Sequence, residues 1–259
     1  MISRGAILLV FVAVLAAGCG GQSADQWIKQ RLAPNPAADV VAIEVGRPDE
    51  RREALEKLAA GSDNLAKPNV VQLFALLASD PKKEPDPMVR ASAVRGLGRM
   101  TGDPVVPALQ KAVTSDPSPY VRTDAAEALG RIARPECAPP LMQVLANDPQ
   151  EDVRQAAATA LRSFKDKTVG KALVTALADP NLAVSYKAWE SLRYMTGQDF
   201  PRRQAEWNDF LTSFEDPFPL YGHPPAIRQG ESQRPMFTKG PLDFLNGLFA
   251  KDAREAELQ

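Results

Sequence analysis

Residues able to do acid–base or metal chemistry are scarce in this chain of 259 residues. It contains one histidine, His223, and two cysteines, Cys19 and Cys137. A single histidine excludes any metal site built from a histidine cluster, and it leaves one candidate for a histidine general base. His223 lies in the turn-rich stretch Tyr-Gly-His-Pro-Pro, which favours a solvated loop position. We therefore predict no catalytic, cofactor-binding or metal-binding residues.

Acidic side chains offer one further route to catalysis. Asp124 and Glu127 are carboxylates of the type used in acid–base work, so an enzyme accessory or a lyase-like protein is one alternative function. No glycine-rich phosphate loop, Cys-x-x-Cys pair or His-Glu metal motif accompanies them. Nothing in the spacing places two carboxylates in one pocket. The leading hypothesis is accordingly a protein that is not an enzyme.

Five arginines form the main candidate for binding. They fall at outward positions of predicted helices: Arg95, Arg99, Arg131, Arg162 and Arg193. Such a basic strip on a concave face could bind acidic protein segments or anionic envelope polymers, although Asp124, Glu127 and Glu190 dilute its charge. A carrier of a small ligand or lipid in the same groove is a second alternative. With 31 basic and 32 acidic residues the net charge is −1, so we predict no nucleic-acid partner.

The first residues read as an export signal. Arg4 gives a basic start, residues 5–17 are an apolar run, and small residues precede Cys19. The run is too short for a comfortable membrane-spanning helix, which needs about 20 residues. We predict a signal peptide over residues 1–18.

The stretch around Cys19 resembles a bacterial lipobox, in which the cysteine thiol carries a diacylglycerol. The resemblance implies a membrane anchor through acyl chains at Cys19, and Gly20 favours the outer membrane facing the periplasm if two membranes are present. The alternative is an ordinary secretory signal with an incidental cysteine. Once Cys19 is acylated, Cys137 has no disulfide partner within the chain, and we interpret it as a small buried hydrophobe.

The elements that must position these side chains are the helices of a repeat. Residues 116–130 recur on both sides, and the last leucine of each copy follows the previous one at intervals of 32, 32 and 31 residues. These leucines are Leu97, Leu129, Leu161 and Leu192. The period is that of a helical-hairpin array, in which each unit buries its apolar face only by stacking on its neighbours.

Each unit reads as two helices joined by a sharp turn. First helices are predicted over 70–78, 104–114, 139–146 and 168–178. Each first helix is followed by an Asp-Pro pair. The pair predicts a turn, because proline cannot continue a helix but is favoured in the first turn of the next one. An insertion at 82–85 lengthens the first of these turns and is expected to protrude from the surface. Residues 48–60 read as a degenerate first copy that caps the array.

The pattern Asp-Pro-x-x-x-Val-Arg-x-x-Ala-Ala-x-Ala-Leu-Gly over 116–130 is similar to HEAT repeats, particularly the short type also found in bilin lyases. The resemblance spans about residues 48–197. It implies an all-α, right-handed α-solenoid of HEAT-like helical hairpins. Many proteins that are not enzymes share this repeat, so the resemblance does not carry the lyase activity with it.

The resemblance also implies a ladder of charge-assisted hydrogen bonds between adjacent units, made by an aspartate in the turn and an arginine six residues later. The matching residues are Asp116 with Arg122 and Asp148 with Arg154. The insertion separates Asp80 from Arg90, which interrupts the pattern there. Ser185 replaces the arginine in the last unit, which fits a terminal cap.

After the repeats the composition changes. Phe200 and Trp207 are expected to cover the last interface of the array. Residues 213–239 are predicted to be an extended arm that either lies on the solenoid or is disordered. A short amphipathic helix is predicted further on, and it either packs back on the array or docks on a partner. Its apolar residues are Leu242, Phe244, Leu245, Leu248 and Phe249.

These observations divide the chain into four parts. They are a signal peptide (1–18), a lipidated tether with an N-terminal helix (19–47), the solenoid with its aromatic cap (48–212), and a proline-rich arm with the amphipathic helix (213–259). The leading hypothesis is a membrane-anchored envelope lipoprotein whose solenoid is a scaffold for a protein partner. The sequence does not identify that partner.

Overall fold

The computed structural model describes residue 43 and residues 46–225, and this part of the chain contains helices and no strand. Its helices are α1 (Pro48–Ala60), α2 (Pro68–Ser79), α3 (Pro87–Leu97), α4 (Val105–Ser115), α5 (Pro119–Ile132), α6 (Ala138–Asn147), α7 (Glu151–Leu161), α8 (Lys167–Ala176), α9 (Leu182–Thr196) and α10 (Gln204–Ser213). The predicted signal peptide, Cys19, and the predicted amphipathic helix lie outside the described residues.

Helix starts follow from local chemistry. Proline occupies the first turn of α1, α2, α3 and α5, where its missing amide hydrogen would have no partner in any case. Asp86 caps α3 by accepting from the amides of Met88 and Val89. Asp166 and Asn181 cap α8 and α9 in the same way.

The aspartates of the Asp-Pro pairs hold the turns between the helices of a hairpin. Asp116 Oδ1 accepts from the Ser118 amide at 2.8 Å, and Asp148 Oδ1 accepts from the Gln150 amide at 2.9 Å. This contact reaches two residues forward and closes a small turn just before the next helix. The same aspartates remain free to accept from arginine side chains of another unit.

Packing arranges the helices in two layers. The first layer runs α2, α4, α6, α8, α10, and the second layer runs α1, α3, α5, α7, α9, with each helix packed on the next of its own layer. Within each hairpin, α2 packs on α3, α4 on α5, α6 on α7 and α8 on α9. This is an α-solenoid, which confirms the predicted fold class, and α1 takes the place of a second helix at its start.

The core lies between the layers, where the repeat leucines meet. All four leucines that end the second helices are fully buried, as are Leu109, Leu141 and Leu173 of the first helices. Alanines at the repeat positions 93, 125, 157 and 188 are also fully buried. A Cβ added at Gly130 would lie 2.6 Å from the Cβ of Ala160. Small residues therefore set the close spacing of neighbouring helices in the second layer.

The insertion at 82–85 corrects one expectation. Lys82 and Lys83 are exposed, but Glu84 is buried, and its carboxylate accepts from Arg51 Nη2 at 2.9 Å. Its backbone carbonyl accepts from Arg90 Nη1 at 2.9 Å. The insertion was predicted to protrude. It folds back instead, because its Glu84 forms an ion pair with Arg51 of the preceding unit.

The last interface is closed by aromatic side chains. Trp207 of α10 is fully buried, its ring centroid lies 5.1 Å from that of Phe200, and its indole Nε1 donates to the carbonyl of Pro201 at 2.9 Å. Beyond α10, residues 214–225 return to the second layer. There the Gly222 amide donates to the carbonyl of Tyr194 at 2.9 Å.

Candidate functional site

A groove of about 1000 Å³ crosses the second layer over α3, α5 and α7. Its wall includes side chains outside the core, among them Met88, Tyr120, Gln155 and Arg131. Tyr221, from the returning segment after α10, also lines the groove. The groove is thus made by three successive units together with the end of the described chain.

Exposed hydrophobic side chains lie along one edge of the second layer except at α7, where the exposed Glu151 and Asp152 occupy the corresponding turn. Large hydrophobic side chains with high exposure lie in the N-terminal halves of α3, α5 and α9, and we call them the apolar edge: Met88, Tyr120, Leu182 and Tyr186. Tyr120 is 70% exposed and Met88 is 45% exposed, and both line the groove. Exposed apolar side chains gathered on one face are typical of a binding surface.

The opposite edge is basic. We call Arg99, Arg131, Arg162 and Lys165 the basic edge; they lie at or beyond the C-terminal ends of α3, α5 and α7. The Arg162 guanidinium lies 5.1 Å from the ring centroid of Tyr194, and Lys165 Nζ lies 4.9 Å from that of Tyr221. Aromatic faces orient both cations without neutralising them.

Tyr221 joins this cluster to the groove. Its hydroxyl donates to the backbone carbonyl of Arg162 at 2.9 Å, and its ring meets Tyr194 edge to face with centroids 5.4 Å apart. Burial raises the pKa of Tyr221, with a further contribution from Tyr194, so the phenol stays neutral and keeps its donor.

The five predicted arginines do not form one strip. Arg95 is bound by the carboxylate of Asp124 at 2.6 Å and by Ser92 Oγ at 2.7 Å, which leaves it largely neutralised. Arg99 is exposed, and Arg131 lies 3.8 Å from Glu127. Arg95, Arg131 and Arg162 line the groove.

The outward position predicted for Arg193 is wrong. This side chain is 3% exposed, its Nε donates to Asp199 Oδ1 at 2.8 Å, and its guanidinium lies 4.6 Å from the Trp189 ring centroid. The position follows the last leucine of a second helix, as Gly98 and Gly130 do, and in the repeat it faces the next unit. No further second helix follows α9 in the described residues, so the segment after α9 covers Arg193 instead.

The ladder arginines pair across units. Arg122 Nε and Nη2 donate to the carboxylate of Asp148 at 2.7 and 2.9 Å, and Arg154 does the same to Asp179 at 2.9 and 3.0 Å. Arg122 contacts Asp116 only through the backbone carbonyl, at 2.9 Å. The carboxylate of Asp116 binds the preceding Arg90 instead, so the insertion does not break the series.

The rung from Arg154 favours the ionised form of Asp179. Burial of Asp179 opposes ionisation, but hydrogen bonds from Arg154 and from the Asn181 amide outweigh it and lower the pKa of the carboxyl. The hydrogen bond to Asp179 raises the pKa of Arg154. Each rung is a bidentate ion pair at the boundary of two units, and its role is structural.

Other chemically capable residues stand apart from the groove. His223 is exposed, and its Nδ1 lies 3.2 Å from the carbonyl of Tyr221. Cys137 is fully buried, and burial raises the pKa of its thiol. No cluster of three metal-ligating side chains occurs in residues 43 and 46–225. Within the same ranges, no helix combines the length and the apolar character that crossing a membrane requires.

Tyr120, Met88 and Tyr221 are groove residues that sequence reasoning missed, and Lys165 contacts the ring of Tyr221. One signal was available for the first two. Each directly precedes the buried valine of the Val-Arg pair, so helix register turns it outward, and a large apolar residue at such a position is unusual for a surface. No comparable signal marked Tyr221, because the return of its segment to the second layer depends on tertiary contacts.

The helical hairpins stack in two layers, and a groove crosses the second helices. This arrangement defines the chain as a helical repeat protein. The family model for HEAT repeats matches the chain three times, over residues 41–130, 75–162 and 138–202. The chain therefore belongs to the HEAT-repeat family. No curated protein matches it.

Solved structures of repeat proteins resemble the chain at low identity. A designed armadillo repeat protein in complex with the peptide (KR)4 is 17% identical, with 70% of this chain and 89% of that chain covered and a TM-score of 0.45. The complex of CpcE and CpcF of phycocyanin lyase from Nostoc sp. PCC7120 is 20% identical over 69% and 79%, with a TM-score of 0.40. Human deoxyhypusine hydroxylase in complex with glycerol is 19% identical over 67% and 84%, with a TM-score of 0.38.

Proposed function

We propose that this chain is a non-catalytic scaffold that binds a segment of another protein in its groove. One observation carries the proposal, which is that Tyr120 is 70% exposed in the wall of a groove of about 1000 Å³. Tyrosine is among the side chains that contribute most to binding when a partner covers them. The repeat itself does not require tyrosine here, since the equivalent residue of α7 is Asp152.

The shape of the site suits a polypeptide better than a small molecule. The groove crosses three helices, and helices of one layer pack about 8–10 Å apart, so a ligand that fills it spans about 20 Å. That length corresponds to about six residues of extended chain. Side chains of both charges line the groove, including Arg131, Glu127 and Asp152. This lining favours a polar segment with apolar anchors over a lipid chain.

Contacts of the candidate carboxylates support the absence of catalysis. Asp124 is bound to Arg95 at 2.6 Å, and the side chain of Glu127 is 56% exposed. Enzymes often bury a general acid or base to adjust its acidity, whereas Asp124 is paired with an arginine and Glu127 is largely exposed. The proposal therefore assigns both residues to the polar lining of the groove.

Site-specific photo-crosslinking in the producing cells tests the scaffold role. With p-benzoyl-phenylalanine in place of Tyr120, we expect a discrete adduct with one partner protein, and the added substitution Arg131→Glu should weaken it. The matched control places the same probe at Leu76, which is 46% exposed in the first layer. Equal adducts at both positions, or none at Tyr120, would refute the proposal.

We further propose that acyl chains on Cys19 hold the scaffold on the bacterial envelope, with the groove in the periplasm if two membranes are present. The order of basic start, apolar run, small residues and cysteine supports this. Two or more acyl chains suffice for stable anchoring. We expect Cys19→Ser to move the protein from the membrane fraction, and globomycin to leave a larger precursor. A membrane-bound Cys19→Ser variant of unchanged mobility would contradict the anchor.

A further inference from the structure

The described chain ends beside the groove. Arg193 Nη2 donates to the carbonyl of Pro225, and Tyr221, four residues earlier, lines the groove. The Gly222 amide is fixed to the carbonyl of Tyr194 at 2.9 Å. Whatever follows Pro225 therefore starts from a defined point next to the basic edge.

The chain beyond that point is long enough to reach across the groove. Sixteen residues, 226–241, separate Pro225 from Leu242. Sixteen residues of chain can span at most about 53–58 Å. Two helix spacings in the second layer cover about 16–20 Å. Residues that begin at Leu242 can thus meet any part of the groove without strain in the linker.

Residues 242–257, which we call the 242–257 segment, complement the groove in chemistry. Their apolar residues include Leu242, Leu245 and Phe249, spaced three and four apart as on one helical face. Four acidic residues (Asp243, Asp252, Glu255, Glu257) and two basic ones (Lys251, Arg254) give a formal charge of 2 − 4 = −2. The apolar side chains match Met88 and Tyr120 of the apolar edge, and the acidic excess matches Arg131 and Arg162 of the basic edge, all four of which line the groove.

We propose that the 242–257 segment occupies the groove of its own chain and that a protein partner binds by displacing it. This inference rests on the proposed function, because it assigns an occupant to the same groove. The segment competes well even when its intrinsic affinity is modest, since a short linker keeps it at an effective concentration in the millimolar range. The segment then occupies the groove until a partner with a higher affinity displaces it.

Photo-crosslinking of the purified full chain tests the contact directly. With p-benzoyl-phenylalanine in place of Tyr120, we expect an adduct within one chain that maps to residues 242–257. The double variant Leu245→Asp, Leu248→Asp should abolish it, and the probe at Leu76 should never give it. An adduct that forms between two chains, or none to these residues, overturns the proposal.

A synthetic peptide of residues 241–259 measures the competition. By fluorescence anisotropy, the Leu245→Asp, Leu248→Asp chain should bind the labelled peptide about tenfold more tightly than the unsubstituted chain, because its groove is open. Adding Arg131→Glu and Tyr120→Ala should remove this binding. Equal affinity for both chains overturns the proposal.

The two hypotheses fail separately. If Tyr120 captures a partner in cells but the purified chain gives no adduct with the 242–257 segment, the proposed function stands and this inference is wrong. If the internal adduct forms but no partner is ever captured at Tyr120, the segment occupies the groove, but the scaffold role is wrong and so is displacement of the segment by a partner.

Discussion

The direction of the arginine ladder is open to a quantitative test at Arg122. The six-residue spacing pairs Arg122 with Asp116 in sequence, but in the structure its guanidinium binds the carboxylate of Asp148, 26 residues on, at 2.7 and 2.9 Å. The side chains are 10% and 6% exposed, so water screens the pair little. Removing either partner leaves the other buried without its main counter-charge.

The expected cost follows from these contacts. Asp148→Ala leaves the Arg122 guanidinium with backbone carbonyls alone and frees the Gln150 amide at the surface, at a cost of about 3 kcal/mol. Arg122→Ala leaves the buried Asp148 carboxylate without its counter-charge and frees the buried carbonyl of Asp116, at a cost of about 4 kcal/mol. With both side chains removed, no unpaired charge is left, and we expect about 4 kcal/mol in total. The coupling free energy is then about 3 + 4 − 4 = 3 kcal/mol.

Urea unfolding of the chain from residue 20 onward, followed by circular dichroism, measures these free energies. A second cycle supplies the control by combining Arg122→Ala with Asp116→Ala. Because the carboxylate of Asp116 binds Arg90, this coupling should stay below about 1 kcal/mol. A larger coupling with Asp116 than with Asp148 would refute the assignment of rungs between units.

Three further changes have expected outcomes. Leu129→Ala empties a fully buried site in the middle of the second layer and should cost about 2–5 kcal/mol in urea unfolding. Gly130→Ala should cost about 1–3 kcal/mol although alanine favours helices, because its Cβ would lie 2.6 Å from that of Ala160. Since the folded state lowers the pKa of Asp179, its rung stabilises the protein above the ordinary value of 3.8, and this stabilisation is lost as pH falls below it. In the Asp179→Asn variant, the free energy of unfolding should therefore depend less steeply on pH below this value.

Each of these predictions has its own contrary result. Leu76→Ala is the control for Leu129→Ala, since Leu76 is 46% exposed and its loss should change stability little. A Gly130→Ala variant more stable than the parent would show that neighbouring helices can separate at no cost. If the free energy of unfolding fell equally steeply at acid pH in the parent and in Asp179→Asn, the ion pair of Asp179 would not contribute to stability.

The residues that sequence reasoning placed correctly are those whose role is local or periodic. Leu97, Leu129, Leu161 and Leu192 recur at the repeat period, and all are fully buried. A strict period leaves one way to stack the units, so the layers follow from the pattern. The buried state of Cys137 likewise agrees with its interpretation as a small hydrophobe.

Where sequence reasoning failed, a contact from another unit decided the outcome. Arg193 was predicted to face outward, but its position in the repeat faces the next unit, and the segment after α9 covers it. Glu84 was expected on a protruding insertion, and the arginine of α1 draws it into a buried pair. Neither contact has a signature in the local sequence. Arg51 lies 33 residues before Glu84, and Asp199 reaches Arg193 only because the chain changes direction after α9.

By itself, the sequence determined the period, the turns at the Asp-Pro pairs and the core face of each helix, since these depend on residues one helical turn or one repeat apart. The tertiary structure alone decided which carboxylate each ladder arginine binds and which side chains share the groove. It brought Tyr120 of α5 and Tyr221 of the returning segment to one site. The physical reason is that a site between units depends on how the units pack. The distances between packed units cannot be derived from the spacing of residues along the chain.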